Sequence, residues 1–208
     1  MKGRLFGLGL GGNTAATAGS LGKAARYLVD HMKGGELRFS SVYRTPPWGD
    51  VQGGEFLNCV AVGEWPASDR ALLHVCREME ALCGAPVRKN GAARSLDVDI
   101  LFLEGGVSVE EMIVPHPRMH LRRFVLVPLA EVLSEPVPGL GLTPEVLLAR
   151  TGDDSRISLY EGAALAWSGK PLDPVGGEDG GLVDSFSDFF PGEGRLPAPP
   201  VNAGAPRG

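Results

Sequence analysis

The sequence predicts an α+β fold, and three observations carry that prediction. Short apolar runs with strand character alternate with two stretches of helical periodicity. The runs follow the order β-α-β-β-α-β over the first hundred or so residues. Glycine, proline or a capping residue stands at nearly every junction between them.

Leu5 to Leu10 reads as the first strand and ends at Gly11-Gly12-Asn13. Leu21, Ala24, Ala25, Leu28, Val29 and Met32 recur at helical spacing, and Gly34-Gly35 stop that helix. Glu36 to Arg44 reads as one strand, closed by Thr45-Pro46-Pro47, since proline cannot donate to a ladder. Residues 45–55 form a Pro- and Gly-rich loop. Phe56 to Glu64 is the next strand. Ser68 has the character of an N-cap, and Leu72, Val75, Cys76, Met79, Leu82 and Cys83 mark the apolar face of the second helix, which Gly84 ends. Residues 85–95 are a loop before a last core strand, Asp97 to Leu103. This order is the ferredoxin-like, split-βαβ arrangement, in which helices cover one face of an antiparallel sheet and the other face can hold ligands. Phe124 to Val132 and Pro144 to Arg150 read as additional C-terminal elements packed on that core.

The chain has 208 residues, 43% hydrophobic, which fits a soluble globular protein. No run approaches the ~18 apolar residues of a membrane span, and the start lacks a signal peptide. Cys59, Cys76 and Cys83 sit in apolar surroundings without metal-ligand spacing, as buried thiols of a reducing cytoplasm do. Residues 1–152 carry sixteen Lys+Arg and sixteen Asp+Glu, and residues 153–208 carry four and nine. The folded part is therefore neutral, where a nucleic-acid binder would show a basic face. The expected division is a domain at 1–152 and an acidic, Gly/Pro-rich, mostly disordered tail at 153–208.

The strand Asp97-Val98-Asp99-Ile100-Leu101-Phe102-Leu103 is the most informative segment. Strict alternation places Val98, Ile100 and Phe102 on one face and Asp97 and Asp99 on the other, about 7 Å apart. Two such carboxylates repel, and a divalent cation with oxygen ligands such as Mg²⁺ would compensate them. A solvated edge strand with two surface acids is the plain alternative, and these residues alone leave both open. His116 is flanked by Pro115 and Pro117, with Arg118, His120, Arg122 and Arg123 within seven residues. That cluster is either a solvated face or a cradle for a polyphosphate. Gly7 to Gly12 fits neither a P-loop nor a dinucleotide fingerprint.

Five segments in this order carry a resemblance: Tyr43-Arg44-Thr45-Pro46-Pro47-Trp48-Gly49, Phe56-Leu57-Asn58, Arg94-Ser95-Leu96-Asp97-Val98-Asp99, Val114-Pro115-His116-Pro117-Arg118 and Arg122-Arg123-Phe124 through Leu129. Together they resemble the 6-hydroxymethyl-7,8-dihydropterin pyrophosphokinases of folate synthesis, over roughly residues 5 to 150. The resemblance implies a cytoplasmic, monomeric enzyme that uses two Mg²⁺ to move pyrophosphate from ATP to a hydroxymethyl dihydropterin. It implies no nucleic-acid or membrane partner. By this resemblance Asp97 and Asp99 hold the metals, and Arg94, His116 and Arg122 join them in catalysis. Arg77, Glu80, Arg88 and Ile100 fall on the nucleotide side. Phe56 and Phe124 become stacking faces for the pterin, although on sequence alone they pass as core residues. Asn58 becomes its amide reader, and Thr45, Pro47 and Trp48 line its edge. Without the resemblance, Glu80 and Arg77 are simply an exposed i, i+3 pair. One departure stands out: Ala85 occupies a position where the family often has arginine, and no tryptophan precedes Arg94. Two other classes fit the same pattern less well. One is a slow or inactive nucleotide-binding relative. The other is a ferredoxin-like RNA-binding module stacking bases on Phe56 and Phe124.

Overall fold

The computed structural model describes residues 3–32, 35–49, 54–84, 93–107 and 110–161, all within the first of two compact units, Met1–Glu178 and Asp179–Gly208. The elements are β1 (Arg4–Gly12), α1 (Thr17–His31), β2 (Leu37–Phe39), β3 (Tyr43–Thr45), β4 (Phe56–Trp65), α2 (Asp69–Leu82), β5 (Asp97–Leu103), α3 (Arg123–Val132), α4 (Pro144–Arg150) and β6 (Ser158–Leu159). The sheet runs β5-β1-β4-β3-β6, with β2 also paired to β4, and every described pairing is antiparallel. The α+β, ferredoxin-like expectation is met. Among the described residues, no helix is long and apolar enough to cross a membrane.

The two core helices follow the apolar spacing in the sequence. Leu21, Ala24, Ala25 and Leu28 of α1, and Leu72, Val75, Cys76 and Met79 of α2, are among the buried positions. Each fully buried leucine or methionine among them contributes about 1.5–3 kcal/mol. Ser68 caps α2, its hydroxyl accepting from Ala71 N at 3.3 Å, and the Trp65 indole donates to Ser68 O at 2.8 Å, fixing the entry to the helix.

The expected single strand at 36–44 is two strands. Pairing is Phe39 with Ala61 in β2 but Tyr43 with Asn58 in β3, so three residues on one side face two on the other. The interruption is a β-bulge. Ser40 replaces the missing ladder bond: its N–H donates to Val60 O, and its hydroxyl accepts from Val60 N, both at 2.9 Å. Glu131 of α3 then holds the bulge by accepting from Ser41 N (2.9 Å), Ser41 Oγ (2.7 Å) and Tyr43 Oη (3.1 Å).

A second bulge corrects the reading of the aspartate strand. Leu8 pairs with Ile100 but Gly7 pairs with Phe102, leaving Leu101 as the extra residue. Alternation holds for Asp97 to Ile100 and fails after it. Phe102 therefore lies on the face of Asp97 and Asp99, not with Val98 and Ile100. There Leu101 and Phe102 pack with Val60, Val62, Met119, Val125, Leu126 and Leu129, which seats α3 on the face that α1 and α2 leave open. The free Leu101 carbonyl accepts from His116 N at 2.7 Å, so the bulge also anchors the segment that carries His116.

The expected boundary at residue 152 falls between α4 and β6. Ser158 and Leu159 pair with Arg44 and Tyr43, and Tyr160 N donates to Val42 O at 2.9 Å. Arg88 and the rest of loop 85–92, and residues 162–208 of the expected tail, lie outside the described residues.

Candidate active site

The register of β1 explains the site. Gly11 pairs with Asn58 on one side and with Asp97 on the other, and Gly9 pairs with Val60 and Asp99. Directly opposed residues share a face, and strands lie about 4.8 Å apart. The candidate amide reader and the candidate metal ligands thus point the same way from the two strands that flank β1, with its glycines between them. A cavity of about 850 Å³ opens over this end of the sheet, within the range of ordinary ligand pockets.

Nine of the sequence candidates line it: Thr45, Trp48, Phe56, Asn58, Arg94, Asp97, Asp99, Arg122 and Phe124. Pro46 lines it where Pro47 was expected, and Arg118, seen in the sequence only as one of a basic cluster, lines it as well. His116, Arg77, Glu80 and Ile100 are not among the lining residues. His116 still stands 4.0 Å from Asp99, Nε2 to Oδ2. Ile100 faces the helix layer opposite Leu8. Arg77 is exposed on α2. Glu80 turns its carboxylate to the outer edge of β5 and accepts from Val98 N at 3.0 Å.

Asn58 is buried, and its Nδ2 donates to Thr45 Oγ1 at 2.8 Å. This bond fixes the amide plane. The opposite glycine is needed too, because a Cβ at Gly11 would stand 2.1 Å from Asn58 Oδ1.

The charged half is balanced by pairs. Arg94 Nη1 donates to Asp97 Oδ1 at 2.5 Å, and Arg122 Nη1 lies 3.5 Å from Asp99 Oδ2. Even so, burial and then the neighbouring Asp99 push the Asp97 carboxyl above the usual carboxylate range, although Arg94 pulls it down. Burial likewise raises Glu80. A carboxyl pushed up by burial and by a neighbouring acid is one whose ionisation a cation would favour. His116 Nδ1 accepts from Arg118 N at 3.2 Å, so the neutral ring carries its proton on Nε2, toward Asp99. Burial lowers the His116 pKa, with Arg122 and Arg118 acting the same way and Asp99 opposing them. The Arg122 guanidinium lies 5.1 Å from the Trp48 ring centroid and 5.5 Å from that of Phe124, a cation–π arrangement. Its Nε is buried, with no hydrogen-bond partner among the described residues.

Paired carboxylates answered by arginines, beside a pocket with a fixed amide and aromatic walls, are the equipment of a phosphoryl-type transferase acting on a flat, hydrogen-bonding acceptor. The family model described as 7,8-dihydro-6-hydroxymethylpterin-pyrophosphokinase (HPPK) matches residues 7–134. A 2-amino-4-hydroxy-6-hydroxymethyldihydropteridine pyrophosphokinase of Methylorubrum extorquens is 38% identical over 155 residues, 74% of this chain and 97% of the relative. The Bacillus subtilis protein of the same name is 33% identical over 129 residues, 62% of this chain and 77% of the relative. The chain belongs to the HPPK family. Two solved structures share the fold. One is an HPPK-DHPS in complex with substrates (TM-score 0.54, 11% identity, 72% of this chain and 43% of that one). The other is the wild-type Plasmodium falciparum HPPK-DHPS with SDX-DHP (TM-score 0.53, 15% identity, 72% of this chain and 44% of that one). The chain spans under half of those longer proteins.

Proposed function

We propose that this protein transfers pyrophosphate from ATP to the hydroxymethyl group of 6-hydroxymethyl-7,8-dihydropterin, a step of folate biosynthesis. The observation that carries the reading is the placement of Asn58 and Asp97 on either side of Gly11, facing one cavity. The hydroxymethyl oxygen attacks the β-phosphorus, the bond to the α-phosphate oxygen breaks, AMP leaves and the hydroxyl proton is released. Phe56 and Phe124 would stack the pterin, Asn58 would read its edge, and Thr45 and the 46–48 backbone would close around it.

Asp97 and Asp99 are the residues that would hold Mg²⁺, two ions in the full reading. Among the described residues no group of three or more His, Cys, Asp or Glu side chains is placed to bind a metal. Phosphate oxygens and water would therefore complete the coordination, which suits a hard cation that keeps part of its hydration. Bound there, Mg²⁺ supplies charge neutralisation and alignment of the triphosphate. Arg94 and Arg122 now pair with the two aspartates. With those carboxylates serving a cation, both guanidinium groups would be free to meet the phosphates, beside His116. Glu80, Arg77, Arg88 and Ile100 belong to the nucleotide side in this reading. The protein acts as a cytoplasmic monomer; the buried thiols Cys59 and Cys76 are in keeping with a reducing compartment.

The direct test is AMP release from ATP with and without the hydroxymethyl dihydropterin. Pterin-dependent AMP is the expected result, and ATP turnover indifferent to the pterin would overturn the assignment. Asn58→Ala separates the two half-sites. It removes a buried amide worth about 1–3 kcal/mol, so pterin affinity falls roughly 10- to 100-fold while nucleotide affinity stays within about twofold. Calorimetry that finds equal losses for both ligands would show that Asn58 acts through the fold instead.

A further inference from the structure

Asp153 is the first residue of the segment that composition assigns to a tail, and it lies beyond the residues the family model matches. Its surroundings are those of a built position. Oδ2 accepts from Arg123 N at 2.8 Å, and Oδ1 accepts from Ser155 N at 2.9 Å. The Ser155 hydroxyl and the Trp48 side chain also favour the charged form of the same carboxylate. Thr151 fastens the same turn: its hydroxyl accepts from Asp153 N at 3.2 Å and donates to Leu121 O at 3.3 Å.

The bond to Arg123 matters because of what α3 lacks. Its N-cap residue is Arg122, which makes no side-chain cap bond, and no acid stands in its first turn. Asp153 supplies both missing features from thirty residues away: an acceptor for a free N–H of the first turn and a negative charge at the positive end of the helix. The residues on either side of that N–H are Arg122 and Phe124, and the ring beneath the Arg122 guanidinium is Trp48. The carboxylate therefore fixes the start of the helix wall and, through the Arg122 guanidinium, bears on the loop wall that Trp48 forms. Its hydrogen bonds hold the Asp153 carboxyl below the usual carboxylate range against the effect of burial.

We propose that Asp153 is a positioning residue for substrate binding, capping α3 so that Arg122, Phe124 and Trp48 form one preset wall of the cavity. The kinetic part rests on the pterin reading above; the structural part does not. The experiment uses the full chain with Asp153→Ala, Asp153→Asn and Trp48→Phe, singly and combined. Trp48 fluorescence, obtained by difference against Trp48→Phe, is quenched with iodide. In Asp153→Ala, Trp48 becomes at least twofold more quenchable, and KM for the pterin rises about tenfold, while kcat falls and the KM for ATP rises through the loosened Arg122, each by clearly less than tenfold. Asp153→Asn keeps one acceptor and falls between the two. Adding Asp153→Ala to Trp48→Phe raises the pterin KM by clearly less than tenfold, because the two act on one wall. Unchanged quenching in Asp153→Ala overturns the proposal whether or not the protein turns over. So does an equal rise in both KM values, or full additivity in the double variant. Absence of any pterin-dependent AMP from the wild type would instead strike the functional reading, leaving the quenching result to decide on Asp153.

Discussion

Asp97→Asn and Asp99→Asn are each expected to lower kcat by about a thousandfold or more while the protein remains folded. A divalent ion placed by a carboxylate supplies several kcal/mol to a transition state that develops charge on phosphate oxygens, and each 1.4 kcal/mol is a factor of ten. The stability side runs the opposite way for Asp97. Its carboxyl is raised by burial and by Asp99, so the folded protein holds its proton more tightly than the unfolded chain does. Ionisation at neutral pH therefore opposes folding, and stability attributable to this group grows as pH falls through its folded pKa. Asn at 97 removes that charge, so at neutral pH and without metal its Tm should equal or exceed the wild-type value. The released partner, Arg94, is partly exposed, which limits the cost of leaving it unpaired. Turnover lost with Tm retained is the signature of a site kept at the expense of stability. Turnover near the wild-type level in either variant would remove the metal assignment.

The sequence makes the helices and strands legible wherever a single period runs unbroken. α1, α2 and β4 follow from spacing, and the Asp97–Leu103 strand has the expected limits. What it hides are the two bulges, because a bulge leaves composition and length unchanged and alters only the pairing. Ser40 gives no sign that its hydroxyl will serve as a ladder acceptor for Val60 N. At Leu101 an apolar run reads equally well with either face, so period-2 reasoning carries Phe102 to the wrong side. For the site, the short motifs bring nine of the expected residues to one cavity, because segments that pair across adjacent strands keep their relative faces. Asp153 could not be found in this way. It is one acid among several in an acidic stretch, and its role depends on a contact thirty residues distant.

Gly12→Ala is the strongest test of how β1 holds the acidic strand, since the change is a single methyl group. A Cβ at this position would lie 2.7 Å from three oxygens: the carbonyls of Arg94 and Ser95 and the hydroxyl of Thr17. Two of them are backbone, so no rotamer change can clear them, and the crossing of β1 with residues 94–95 has to open. That crossing is fastened by a pair of bonds, Asn13 N to Arg94 O at 2.9 Å and Arg94 N to Asn13 Oδ1 at 2.8 Å. The residue it carries is the one whose guanidinium meets Asp97. Overpacking of this kind costs about 1–3 kcal/mol, which at this size lowers Tm by about 2–12 °C. A displacement on the order of 1 Å at a reacting site costs about a hundredfold in rate, so kcat should fall by that factor with pterin binding at Asn58 less affected. Gly19→Ala is the matched control. It lies within α1, and a Cβ there meets nothing within 4 Å, so the same substitution should stabilise the protein by about 0.5–1 kcal/mol through helix propensity. If Gly12→Ala melts and turns over like the wild type, residues 94–95 give way freely, and the clasp with Asn13 does not hold Arg94 at Asp97.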